Sequence, residues 1–327
     1  MTRLQRLIPA SVFCFVVVPA YAAYAADTAQ DWLLRIHQAP QVLNYEGTFV
    51  YQHGGRLDTM RIFHRAVDGA VTERLVSLTG PAREVIRTDQ EVRCYLPDQK
   101  AIFIEQRRLG RNPFLGIVPD RLPDLEQNYT IQLGGKARIT GRAAQQLAIR
   151  ARDDYRYGYR LWADQETGLL LKAELMSDSG KKLEQFMFTQ LNIGGAILDS
   201  MLVAHTSADG MAWYRDNEVT DGGPTRSWRA ARLPSGFKLF SNVLRRLPRD
   251  ERIVRQLVYT DSLAAVSVFI ESADVAKSDD MVEGPTSMGA LNALGKILDR
   301  HHVTVVGEVP VKTILMISDS LVPESRP

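Results

Sequence analysis

Few residues in this chain are spaced for covalent chemistry. Ser179-Gly-Lys-Lys182 has the Ser-x-x-Lys spacing in which a lysine can activate a serine. It stands between two strand-like runs, however, and reads as a turn. His301-His302 places two imidazoles in sequence. Neighbouring strand residues point to opposite faces, so the rings do not share one ion. No cysteine pair completes a metal shell there. His53, His64 and His205 are scattered, and Asp153-Asp154 reads as a solvated turn before an aromatic strand. Cys94 lies in the strand-like run Glu91–Leu96 and reads as a small buried hydrophobe. The chain has no Gly-x-Ser-x-Gly, His-Glu-x-x-His or Gly-x-x-x-x-Gly-Lys. No catalytic residue, metal or cofactor is expected; the chemistry is that of binding.

Two features suit binding. Nine basic residues fall between Arg226 and Arg255, opposed only by Asp250 and Glu251. Arginine forks match carboxylates and phosphates. Arg229, Arg232, Arg245, Arg246 and Arg249 are the candidates for meeting an acidic peptide or lipid phosphates; a solvated face is the plainer reading. Arg107, Arg108 and Arg111 form a smaller cluster. The second feature is apolar. Phe49, Tyr51, Ile62, Ile102, Ile104, Leu161, Leu171 and Phe186 are candidates to line the concave face of a curved sheet. Phe114, with Leu115, Ile117 and Val118, would cover it. An ordinary core explains the same residues, and an acyl chain needs that core incompletely filled.

The elements that hold these residues are mostly strands. Residues 27–38 read as a short helix with Trp32, Leu33 and Ile36 on one face. Tyr45–His53 and Arg56–Val67 flank Gly54-Gly55, a hairpin signal. Strands continue over 71–78, 83–87, 92–96 and 101–106, then over 129–133, 137–142, 147–152, 155–162, 169–176 and 182–192. Gly134-Gly135 is read as a turn between two of them. This succession predicts one large, strongly curved antiparallel sheet, interrupted by a long loop at 107–127. Residues 205–227 are turn-rich and predict a linker. From Trp228 a small α+β unit follows, with strands near 236–240, 252–259, 264–271, 289–294 and 303–309. A final helix begins at Pro310, with Leu315, Ile317, Leu321 and Val322 facing the sheet.

The N-terminus predicts export. Arg3 and Arg6 precede an apolar run from Leu7 to Val18, then Pro19 and small residues. That is a cleavable signal peptide, 1–25, cut after Ala25 or at Ala22. The run is too short for a stable span of about 30 Å of hydrocarbon. Domains are therefore expected at 26–204 and 228–327, in a soluble mature chain. Losing Arg3 and Arg6 takes Lys plus Arg from 40 to 38, equal to Asp plus Glu at 38. A neutral chain argues against nucleic acid. Cys14 leaves with the signal, so Cys94 stands alone and no intrachain disulfide forms.

Several short runs together carry a resemblance: Tyr45-Glu-Gly-Thr-Phe-Val-Tyr51, Glu73-Arg-Leu75, Gly80-Pro-Ala-Arg-Glu-Val85, Cys94-Tyr-Leu-Pro97, Leu233-Pro-Ser-Gly-Phe237, Leu257-Val-Tyr-Thr-Asp261 and Val303-Thr-Val-Val-Gly-Glu-Val-Pro310. In that order the chain resembles the RseB/MucB family over nearly all its mature length. Ser262 departs from it, because the family usually has glycine after this Tyr-Thr-Asp turn. The resemblance implies a large domain similar to the LolA/LolB lipoprotein carriers, a half-open antiparallel β-barrel, with a smaller α+β C-terminal domain. It implies a periplasmic negative regulator of a sigma-E-type envelope stress response. The implied partners are the periplasmic domain of a single-pass membrane anti-sigma factor (RseA or MucA) and lipopolysaccharide or lipoprotein acyl chains. A homodimer stays open, and a LolA-type carrier is the alternative.

Overall fold

The computed structural model describes residues 27–106, 122–215, 217–219, 227–247, 252–272 and 284–324. The export segment, Phe114 and Arg249 lie outside them. The first helix, α1 (Ala29–Val42), opens with a reciprocal cap: the Asp31 amide donates to the Thr28 hydroxyl, and the Thr28 amide donates to the Asp31 carboxylate. It buries Trp32, Leu33, Ile36 and Ala39, one apolar stripe. It runs beyond Gln38 with Pro40 inside it. The Pro40 carbonyl meets His64 Nε2 at 2.7 Å, which ties the end of the helix to the sheet.

The strands beneath α1 are β1 (Tyr45–His53), β2 (Arg56–Val67), β3 (Ala70–Ser77), β4 (Glu84–Arg87), β5 (Glu91–Leu96) and β6 (Ala101–Gln106). After α2 (Leu122–Asn128) come β7 (Tyr129–Ile139), β8 (Arg142–Ala151), β9 (Gly158–Asp164), β10 (Leu170–Met176) and β11 (Lys182–Ile193). A short helix, α3 (Asp199–Leu202), precedes β12 (Ala212–Arg215). All twelve strands form one sheet, ordered β12-β6-β5-β4-β3-β2-β1-β11-β10-β9-β8-β7. It is open, since β12 and β7 are its two edges. Strands β2 and β7 are six places apart and on a flat sheet would stand about 29 Å from each other. A helix about 21 Å long touches both, so the sheet bends round α1. The bend encloses the larger apolar core, built from α1 with Tyr45, Phe49, Ile62, Tyr129, Leu147, Leu161 and Phe188.

Gly54 and Gly55 make the β1–β2 turn with φ of 51° and 79°, the left-handed pair that a two-residue hairpin asks for. Gly134-Gly135 is not a turn. Leu133 pairs with Leu147 and Lys136 with Gln145, so the glycines form a bulge inside a continuous β7. Within 205–227 the chain is also not a bare connection. Strand β12 adds parallel to β6, and β13 (Asn217–Val219) belongs to the second sheet.

That sheet contains β15 (Lys238–Arg246), β16 (Ile253–Thr260), β17 (Ala265–Ser272), β18 (Gly284–Met288), β19 (Leu291–Leu298) and β20 (His301–Gly307), ordered β13-β15-β16-β17-β20-β19-β18. The pair β14 (Trp228–Ala230) and β21 (Leu321–Pro323) completes the unit. Helix α4 (Val311–Asp319) follows Pro310 and packs on β19 and β20. It buries Ile314 and Ile317, while Leu315 is 40% exposed. The expectation for Leu315 fails because one helical residue turns the side chain about 100° from its neighbour. His302 is buried beside Glu271, and His301 packs edge-on to Trp228.

Ser262 sits at φ 84° in the turn after β16. A β-carbon there costs roughly 1–2 kcal/mol, and glycine loses about 0.5–1 kcal/mol more chain entropy on folding. Ser262→Gly is expected to stabilise the protein by about 0.5–1 kcal/mol, read as a higher urea midpoint; Ser262→Ala should give no such gain.

Candidate functional site

The apolar candidates separate by strand register. Phe49, Ile62, Leu161 and Phe186 join the core under α1, and Tyr51 packs against it. Phe49 and Phe186 meet edge to face, with ring centroids 5.2 Å apart. Cross-strand partners carry this face from Ile62 through Leu75 and Val85 to Cys94 and Phe103. Ile102 and Ile104 therefore point to the opposite face. There they cluster with Tyr95 under Ala204, Ala208 and Met211. Leu171, beside the irregularity between Leu170 and Lys172, joins Ala144 and Trp162 in another cluster. Apolar identity signals burial, but a one-residue offset exchanges the faces. Cys94 is half-buried, and burial pushes its thiol up, away from a reactive thiolate.

A buried polar bridge crosses the α1 face. His64 faces Pro40 O and, at 2.9 Å, Glu73 Oε1; Arg87 donates to the other Glu73 oxygen. Burial alone would raise the Glu73 carboxyl, but the His64 hydrogen bond and the Arg87 charge hold it below the ordinary range. Tyr45 stacks on His64 at 4.3 Å.

Among the described residues the basic run does not form one surface. Arg229 and Arg232 are exposed on and after β14. Arg245 and Arg246 are consecutive on β15, so they project to opposite faces of the sheet. Arg252 pairs with Glu271 at 2.8 Å, and Arg255 donates to Asn242 at 2.9 Å.

What sequence reasoning missed lies between the two sheets. Arg156, in the loop before β9, is fully buried. Its Nη1 donates to Asp261 and its Nη2 to the Ser235 carbonyl. Asp153 accepts from Nε at 3.0 Å and from Nη2 at 2.9 Å. The Tyr129 hydroxyl donates to Asp261 at 2.9 Å. The guanidinium lies over the Phe237 ring at 5.2 Å. Asp261 also accepts from the amides of Leu263 and Ala264 at 2.9 and 2.7 Å, which shapes its own turn. Burial works against the charge on Arg156, but Asp153 and Asp261 outweigh it and raise the guanidinium.

Close approaches surround this pair. A β-carbon on Gly236 (φ 79°) would stand 2.1 Å from the Asn128 amide nitrogen. Asn292 Nδ2 reaches the Tyr157 hydroxyl at 3.1 Å and the Val309 carbonyl at 2.8 Å. Thr313 donates to the Tyr155 carbonyl at 2.6 Å, and Lys312 pairs with Asp154 at 2.6 Å. Asp153 is thus a docking point, while Asp154 stays solvated, 72% exposed, as expected of a turn. The runs Leu233–Phe237 and Leu257–Asp261, far apart in sequence, both meet the first domain here, and Asn292 links the Val309 carbonyl of a third run to Tyr157. The Asp153–Arg156 spacing was the one local signal; Asp261 is 105 residues away.

The two domains correspond to two matched family models, with β12 and β13 falling between the matches. The MucB/RseB N-terminal domain matches residues 28–206, and the MucB/RseB C-terminal domain matches 223–322. The chain belongs to the MucB/RseB family. It is 38% identical over 312 residues to the sigma factor AlgU regulatory protein MucB of Pseudomonas aeruginosa, covering 93% of each. It is 27% identical to the sigma-E factor regulatory protein RseB of Escherichia coli K12, over 91% of this chain and 92% of that one. Among solved structures it resembles MucB in the P. aeruginosa MucA/MucB complex, at 34% identity and TM-score 0.70, over 91% of this chain and 99% of that one. MucB in complex with MucA(peri) aligns at TM-score 0.69 and 34% identity, over 91% and 100%. Arg156 therefore belongs to the N-terminal family domain and Asp261 to the C-terminal one.

Removing one partner of a buried ion pair strands the other charge and costs about 3–5 kcal/mol. Asp261→Asn is expected to lower unfolding stability by that amount in urea titration. The pair replacement Arg156→Met with Asp261→Leu should cost less than the two single changes summed.

Proposed function

We propose that the chain acts in the periplasm as a negative regulator of a sigma-E-type envelope stress response. It binds the periplasmic part of a MucA- or RseA-like anti-sigma factor and shields it from regulated proteolysis; lipid or lipopolysaccharide releases it. The observation that carries this reading is full-length similarity to proteins named as sigma factor regulators, one of them solved together with MucA. Residues 1–25, with their charged, apolar and small-residue parts, support export. Among the described residues no helix is long and apolar enough to cross a membrane.

On this reading lipid and anti-sigma segment compete through the joint. Acyl chains address the face of Phe49, Tyr51, Ile62, Leu161 and Phe186, while the exposed Arg229 and Arg232 meet phosphates or acidic groups, joined by only one of Arg245 and Arg246, which lie on opposite faces of β15. Phe49, Ile62 and Leu161 are already covered, each 0% exposed. Lipid entry therefore moves α1 off the sheet and breaks the His64–Pro40 tie. A LolA-type carrier needs only the first sheet, so the second domain and its polar joint favour regulation.

Binding of a labelled MucA-type periplasmic segment, followed by fluorescence anisotropy, tests this. Titrated lipopolysaccharide should weaken segment binding, and the segment should weaken lipopolysaccharide binding by the same factor. Segment affinity that ignores saturating lipopolysaccharide would remove the release step, and absence of segment binding would remove the regulator reading itself.

A further inference from the structure

Beside the Asp261 turn the two domains leave a cleft of about 290 Å³. Tyr159 of β9 forms one wall; Leu263, Ser267, Leu291, Val306 and Glu308 form the others. Small-molecule pockets run from about 300 to 1,000 Å³, so this space suits one long side chain rather than a lipid. Its walls mix aliphatic and aromatic side chains with polar groups in nearly equal share, and among the described residues the one charged group lining it is the Glu308 carboxylate. Glu308 has no hydrogen bond or ion pair among the described residues. The next carboxylate, Glu184, accepts from the Tyr51 hydroxyl and, at 3.4 Å, from the Ala290 amide, and it too has no cationic partner there.

We propose that this cleft receives an arginine or lysine side chain of the bound anti-sigma segment, its stem against Tyr159, Leu263 and Leu291 and its cationic head on Glu308. The proposal rests on the regulator reading above and names the chemistry of one contact within it. Long basic side chains lay an apolar stem on greasy walls and keep the charge at a polar end. Burial and the neighbouring charge of Glu184 push the Glu308 carboxyl up, as befits an acid lacking a cation. The cleft needs both domains docked, since Tyr159 comes from one and Glu308 from the other. Leu263 and Ala264 are held by Asp261, the partner of Arg156. A segment seated here therefore favours the docked arrangement, and one that loses the docked arrangement loses its seat.

The test uses the full mature chain and the labelled MucA-type periplasmic segment. Glu308→Gln should weaken binding roughly tenfold, within the range of interfacial charge pairs. Glu308→Asp should restore most of it. Each Lys and Arg of the segment is then changed to Met. One such change should weaken binding to the native protein as much as Glu308→Gln does, yet add nothing on the Gln variant, the sign of a direct pair. Unchanged thermal unfolding of both variants, expected where the native side chain makes no hydrogen bond or ion pair among the described residues, separates contact from fold. Native-like affinity of Glu308→Gln, or independent effects at every basic position, overturns the inference and leaves the regulator reading standing. If the native protein binds no segment, both fall together.

Discussion

A guanidinium buried between two sheets sets the terms for the rest of this molecule. Arg156 has no exposed surface, and its charge is answered by Asp153, Asp261 and the Ser235 carbonyl. Two of these belong to the other domain. Taking a cation out of water costs several kcal/mol unless such partners are in place. The arrangement is therefore poor evidence of extra stability but a strong selector of geometry. Domains docked with a different offset would leave Arg156 and Asp261 buried and unmatched.

Around that point the contacts tolerate little change of shape. Gly236 has no room for a β-carbon against Asn128, and Gly289 approaches the backbone of Gly54 so closely that a β-carbon would stand 3.0 Å from its amide. Asn292 joins Tyr157 to the carbonyl of Val309, just before the helix that docks on Tyr155. On the proposed function, a partner-holding and a partner-free state call for an interface with discrete positions rather than a soft one. A joint built from directional polar contacts, with a cleft at its edge, has that character. The curved sheet supplies the other half: an apolar face closed by α1 and fastened by His64.

Much of the fold was legible from local signals. Alternating strands and the Gly54-Gly55 turn gave the large antiparallel sheet, and Trp32, Leu33 and Ile36 marked the buried side of α1. The unusual Ser262 was visible as a departure from a family turn, and it does occupy a left-handed position. Other readings failed where two outcomes share one local pattern. Gly134-Gly135 suits a turn or a bulge, and only pairing with β8 makes it a bulge. Ile102 and Ile104 are apolar strand residues whose face depends on register across three strand pairs. Asp153 looks solvated until the buried Arg156 is brought to it.

By itself, then, the order of residues determined the periodicities, most of the turns and the family, because each is written in near neighbours or in the sum of many short runs. Tertiary structure alone decided which face each apolar strand residue joins, how the arginines between 226 and 255 are divided, and that Arg156 meets Asp261 and Tyr159 meets Glu308. The last two join segments more than a hundred residues apart, and the first two depend on strand register. No local spacing encodes them; they follow from the way a bent sheet and a second sheet exclude water from the same small volume.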